Sequence, residues 1–135
     1  MAIAVARPGS DADEAVATAA QAAHDSAVRR DVAHIVRFLQ DVLGQSLTAL
    51  IADVRNVKAV GKWAKGKRVP HPQAEQRLRH AYQVTELLTR VESPATIRAW
   101  FLGLNPLLDD TPPALMLGKD PVAVLKAARA FAANG

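Results

Sequence analysis

The sequence predicts an all-α fold, and three observations carry that expectation. Half of the 135 residues are hydrophobic but only 4% are aromatic, and much of the apolar share is alanine and leucine, both strong helix formers. No run of alternating β-branched residues marks a strand. Apolar residues recur instead at three- and four-residue spacing, between capping residues, prolines and glycines placed as helix boundaries. A chain of this length suits one compact unit, or two small helical lobes that share a core.

Met1 to about Ser26 is small, polar and alanine-rich, with Asp11, Asp13, Glu14 and Asp25 opposing few bases and Val16 almost the only sizeable apolar group. Such a segment buries too little surface to offset its ordering entropy, so residues 1–26 read as a flexible or partly helical tail, helical only against a partner. The first core helix is expected from Val28, where Val28, Val32, Ile35, Leu39 and Val42 form a stripe widened by Val36 and Leu43 and closed by Gly44.

Ser46 is the expected cap of a short second helix with Leu47, Leu50, Ile51 and Val54 on one face. Asn56 is the expected cap of a third, with Val57, Val60, Trp63 and Ala64 inward, Lys58, Lys62 and Lys65 on other faces, and Gly66 as its stop. Two short helices joined by a tight turn form a helix–turn–helix lobe over residues 27–72. A connecting helix follows at 73–92, starting near Gln73 and ending near Val91. Its stripes Leu78, Ala81, Tyr82, Leu88 and Val84, Leu87, Val91 make an arc wide enough to touch two bodies.

Ser93-Pro94, Thr111-Pro112 and Asp120-Pro121 each pair a capping residue with a proline at the first helical position. They predict helices over Pro94–Leu102, Pro112–Leu117 and Pro121 to about Ala133, a carboxy-terminal lobe at 93–135. Within it Leu107, Leu108, Met116 and Leu117 surround proline-rich turns, and a lobe so short has few layers in which to hide them. An exposed protein-binding surface is expected there. Trp63 and Trp100 read as core anchors.

Charge is concentrated in one segment. From Arg55 to Arg79 there are eight lysines and arginines against the single acid Glu75, more than the net charge of +4 of the whole chain, and the pI is 9.9. A helix–turn–helix lays its second helix in the major groove with flanking cations on phosphates, and usually works as a dimer on paired half-sites. Asn56, Lys58 and Lys62 are the candidates for base edges or nearby phosphates, and Arg55, Lys65, Lys67 and Arg68 for phosphates. The plain alternative is an amphipathic helix with a solvated lysine face.

Other functions find little support. Without cysteine there are no disulfides, thiolate metal sites or cysteine nucleophiles. His24, His34, His71 and His80 form no i, i+4 pair beside a carboxylate, so no metal is expected. Asp109 and Asp110 read as caps with Thr111 rather than a proton-sharing pair. Ser10, Ser26, Ser46 and Ser93 stand in tail or capping positions, and no glycine-rich phosphate loop is present. Neither enzymatic activity nor a cofactor is expected. No stretch approaches the roughly 18 apolar residues of a membrane span, and the start MAIAVARPGSDADEA lacks a secretion-signal pattern. The expectation is a cytoplasmic protein with no membrane partner.

The run V-G-K-W-A-K-G-K-R-V-P from Val60 to Pro70 resembles the end of the recognition helix in Xre-type helix–turn–helix proteins. From Ile97 to Phe131 the chain resembles the toxin-binding domain of Xre/MbcA/ParS-type antitoxins, in which a tryptophan helix leads into an N-P-x-L loop, a P-x-x-L helix and a valine-bearing last helix. Trp100, Asn105, Pro106, Leu108, Pro112, Pro113, Leu115 and Val124 carry this likeness. Asp109-Asp110 stands where that pattern commonly has a glycine. The resemblance implies an Xre-like helix–turn–helix followed by a small helical toxin-binding lobe. It implies a type II antitoxin that represses its own operator and covers the active site of a NAD-consuming RES-domain toxin. Toxin contacts would come from Trp100, Asn105, Pro106, Leu107, Leu108, Pro112, Leu115 and Met116, in a homodimer or a larger hetero-oligomer with toxin. The alternatives are a stand-alone regulator without a toxin, and a toxin-binding module that has lost DNA binding.

Overall fold

The structure, a computed structural model, describes residues 11–134, with the side chain of Val28 outside the description. Among these residues every regular element is helical: α1 (Asp11–Leu43), α2 (Gln45–Ala52), α3 (Lys58–Ala64), α4 (Pro72–Leu88), α5 (Pro94–Leu102), a 3-10 turn (Pro106–Leu108), α6 (Pro113–Met116) and α7 (Pro121–Asn134).

The largest difference from the sequence reading is the start of α1. The helix begins at Asp11, not near Val28, and its 33 residues extend about 50 Å. None of residues 11–27 is buried, and Val16 is 69% exposed. This overhang is helical because alanine costs little side-chain entropy, because Asp11, Asp13 and Glu14 in the first turn complement the helix dipole, and because the packed half of α1 already supplies the nucleus. Residues 1–10 of the expected tail lie outside the described part. From Val32 onward α1 is a core element: Val32, Ile35, Val36, Leu39 and Leu43 are buried, with Phe38 and Val42 partly so.

That half of α1 packs against α2, α3, α4 and α5, while α4 packs against α1, α2 and α7. The wide apolar arc of α4 therefore does contact two bodies, through Ala74, Leu78, Ala81, Val84 and Leu88. It stops at Leu88, and Val91 is 51% exposed rather than part of the stripe. Tyr82 meets Phe38 and His34 of α1 edge-on, with ring centroids 5.1 and 6.1 Å apart. Residues from Val32 to Ala128 contribute to one contiguous core.

The helix starts at Pro94 and Pro121 are the predicted ones. Ser93 accepts from the Thr96 N–H at 3.3 Å, and Asp120 Oδ1 accepts from the Ala123 N–H at 3.0 Å. The middle one differs. No side chain caps α6, which begins at Pro113, while Asp109 and Asp110 turn the chain at φ 54 and 59 instead of capping. These aspartates adopt the left-handed conformation that a glycine would otherwise supply.

Two outcomes are expected from this packing. Urea unfolding followed through Trp63 alone, in W100F, and through Trp100 alone, in W63F, should fit one cooperative transition in each variant, since α3 and α5 share a core. Thr85 Oγ1 is buried with no partner among the described residues. Replacing Thr85 by Val should therefore raise stability by about 1 kcal/mol, a shift in Tm of roughly 3 °C.

Candidate functional site

Gly44 alone separates α1 from α2. Its φ of 85° is open to glycine, and its carbonyl accepts both the backbone N–H and the hydroxyl of Thr48, at 3.2 and 2.7 Å. Gly44, not Ser46, therefore occupies the N-cap, and no side chain caps α2. Leu47 and Ile51 are buried, but Leu50 is 43% exposed, so the inward face is narrower than the spacing predicts. The turn after α2 is made by Asp53 at φ 60, with the Val54 N–H returning to the Ala49 carbonyl at 3.0 Å. Aspartate here adopts the left-handed conformation more often taken by glycine. Asn56 Oδ1 then accepts from the Lys58 N–H at 3.0 Å, which closes the turn into α3 although Val57 holds the N-cap position.

α3 buries Val60, Trp63 and Ala64 and ends as predicted at Gly66, φ 72, with the Lys67 N–H on the Lys62 carbonyl at 3.0 Å. Arg55, Asn56, Lys58, Lys62, Lys65, Lys67 and Arg68 are all exposed. The structure thus places every predicted DNA-contacting residue at the surface of one lobe, in a stretch with no acid between Asp53 and Glu75.

Two cations counted with that segment are committed elsewhere. Arg77 donates to the Ala52 carbonyl at 3.4 Å. Arg79 pairs with Asp31 and Glu75 at 2.9 Å each. Burial pulls the Arg79 guanidinium down, but its hydrogen bonds and the two carboxylates outweigh that and hold it above its ordinary value. Arg79 is neutralised within the fold.

At the far end, Trp100, Ala127 and Phe131 floor an apolar groove of about 480 Å3, and the Trp100 and Phe131 rings lie 6.1 Å apart. Its rim is the loop of Leu104, Asn105, Pro106 and Leu107, with Leu104 73% and Leu107 65% exposed. Asn105 shapes that loop: its Oδ1 accepts the Leu107 N–H, and its carbonyl accepts those of Leu108 and Asp110, all at 2.9 Å.

The predicted toxin-contacting set is only partly gathered there. Trp100, Asn105, Pro106 and Leu107 line the groove, with Trp100 also the core anchor expected of it. Leu108 and Leu117 are buried and expose no partner surface, because the 3-10 turn and the end of α6 direct them into the core. Met116 and Pro112 are half-buried, while Leu115, 50% exposed, lines a separate cleft with Leu50 and Arg77. The sequence reading missed Ala127, Ala130 and Phe131, whose i, i+3, i+4 spacing on α7 was the available signal.

Among the described residues no group of three or more side chains is arranged to hold a metal ion, and no helix is long and apolar enough to cross a membrane. Comparison with protein-family models, curated proteins and solved structures finds no match.

Replacing Asn105 by Ala removes the side-chain cap of the loop and should cost about 1 kcal/mol, a fall in Tm of roughly 3 °C by circular dichroism.

Proposed function

We propose that the chain is a DNA-binding antitoxin: α3 enters the major groove of its own operator, and the groove between α5 and α7 holds a RES-domain toxin, closing access to that toxin's NAD pocket. The observation that carries the reading is the orientation of α3. Its three large or packed residues are buried while each lysine faces solvent, as a helix that reads a polyanion requires. Seven residues span about 10 Å, which fits a major groove about 12 Å wide. So short a helix covers few base pairs, which favours a dimer on paired half-sites. The neutral apolar rim of Leu104 and Leu107 suits a protein partner rather than a nucleic acid. The resemblance of the tryptophan helix and N-P-x-L loop to antitoxin domains supports a toxin as that partner. The chain needs no chemistry or cofactor of its own for this role, which belongs in the cytoplasm beside DNA and toxin.

If roughly six phosphates are neutralised per dimer, affinity for a duplex taken from the chain's own promoter should fall with salt at a log–log slope near −5. K58A/K62A should lose that binding and retain the RES-domain toxin of the adjacent reading frame. L104D/L107D should do the reverse. A K58A/K62A protein that binds DNA as the parent does overturns the operator role, and an adjacent frame with no RES-type product leaves a stand-alone regulator.

A further inference from the structure

A second concentration of positive charge joins three arginines of α1, none assigned so far, to Lys65 of α3. Where α1 leaves the core, a cleft of about 350 Å3 opens between it and the end of α3. Arg29, Arg30, Arg37 and Lys65 line this cleft, and no carboxylate is among its described lining residues. Of the nearest acids on α1, Asp31 is paired with Arg79, while Asp25, which accepts from the neutral Gln21 amide at 2.8 Å, and Asp41, one turn beyond Arg37, lie outside the lining. Four like charges around one concavity repel one another and create a field that an anion relieves.

We propose that this cleft is a phosphodiester-binding site that grips the backbone of duplex DNA beside the α3 contact. The inference rests on the reading of α3 as the DNA-contacting helix and adds α1 to the interface. The cleft is built, not accidental. Arg37 donates to the Ala64 carbonyl at 2.8 Å, which pins α1 to the last turn of α3 with one of five guanidinium donors. Arg30 donates to Ser26 Oγ at 2.7 Å, which holds its guanidinium along the wall. A Cβ placed on Gly66 would meet only the Ala33 Cβ, at 3.9 Å, so the floor is open backbone.

Continuity favours a duplex over a small free anion. Lys65 belongs both to the cleft and to the cationic face of α3. A helix about 10 Å long, inserted by its first turn into a groove about 8.5 Å deep, leaves its last turn at the groove mouth, where the sugar–phosphate strand runs. The cleft sits at that last turn. Planar guanidinium groups suit phosphate oxygens there, since they donate in pairs.

The test is the salt dependence of duplex binding by R29A/R30A, using the promoter duplex and the full chain. Both residues are exposed on a helix, where alanine is tolerated, and a circular-dichroism melt matching the parent verifies folding. The log–log slope should become shallower by about 0.9 for each phosphate lost, about 2 per dimer. R29K/R30K should recover most of the slope through charge alone. An unchanged slope in R29A/R30A while K58A/K62A weakens binding overturns the cleft and leaves α3 standing. If K58A/K62A also binds as the parent does, both readings fall.

Discussion

A seven-residue helix has almost no stability of its own, because nucleation fixes several residues for each early hydrogen bond. α3 therefore exists only as long as Val60, Trp63 and Ala64 stay buried against α1 and the Arg37 guanidinium holds the Ala64 carbonyl. The same device recurs at two other helix ends. Arg98 of α5 donates to the Val42 carbonyl at 2.9 Å, and Arg77 of α4 to the Ala52 carbonyl. Backbone turns close the ends of α1, α2 and α3, and at each an arginine from a neighbouring helix takes one further carbonyl. The capping cations come from α1, α4 and α5, which leaves the lysines of α3 turned to solvent.

This arrangement ties the two candidate surfaces together without merging them. The core that supports α3 continues through α4 to the floor of the apolar groove, so both surfaces are properties of one packed body. Arg77 stands at the junction: it reaches the end of α2, while a Cβ on Gly118 would come within 2.8 Å of its Nε. A side chain at 118 would displace the Arg77 guanidinium from its present position. Charge follows the same division, with the lysines of α3 beside Arg29, Arg30 and Arg37 of α1 and uncharged leucines on the loop at the other end.

Much of this was legible in the sequence where a residue type has one dominant local use. Ser93-Pro94 and Asp120-Pro121 started helices, Gly66 ended one, and the Val32–Leu43 stripe lay in the core. Signals with several uses misled. Ser46 has the chemistry of a cap, but Gly44 offered a backbone shape that serine does not. Leu108 and Leu117 were read as surface beside prolines, yet whether a leucine in a turn points in or out depends on tertiary placement that spacing does not encode. The α1 overhang was missed because its helicity comes from alanine propensity and extension of a packed helix, not from an apolar stripe. Arg29, Arg30 and Arg37 fall outside the apolar stripe of α1, and only the position of α3 brings Lys65 to them.

On the proposed reading, polyanion binding belongs to the α1–α3 face and not to the α5–α7 groove. Amide hydrogen exchange of the full chain, with and without the promoter duplex, tests it directly. The expected result is added protection in α3, the turn before it and the part of α1 beside the cleft, with α5, α7 and the loop between them unchanged. Protection confined to α5, α7 and that loop, or none at α3, would contradict it.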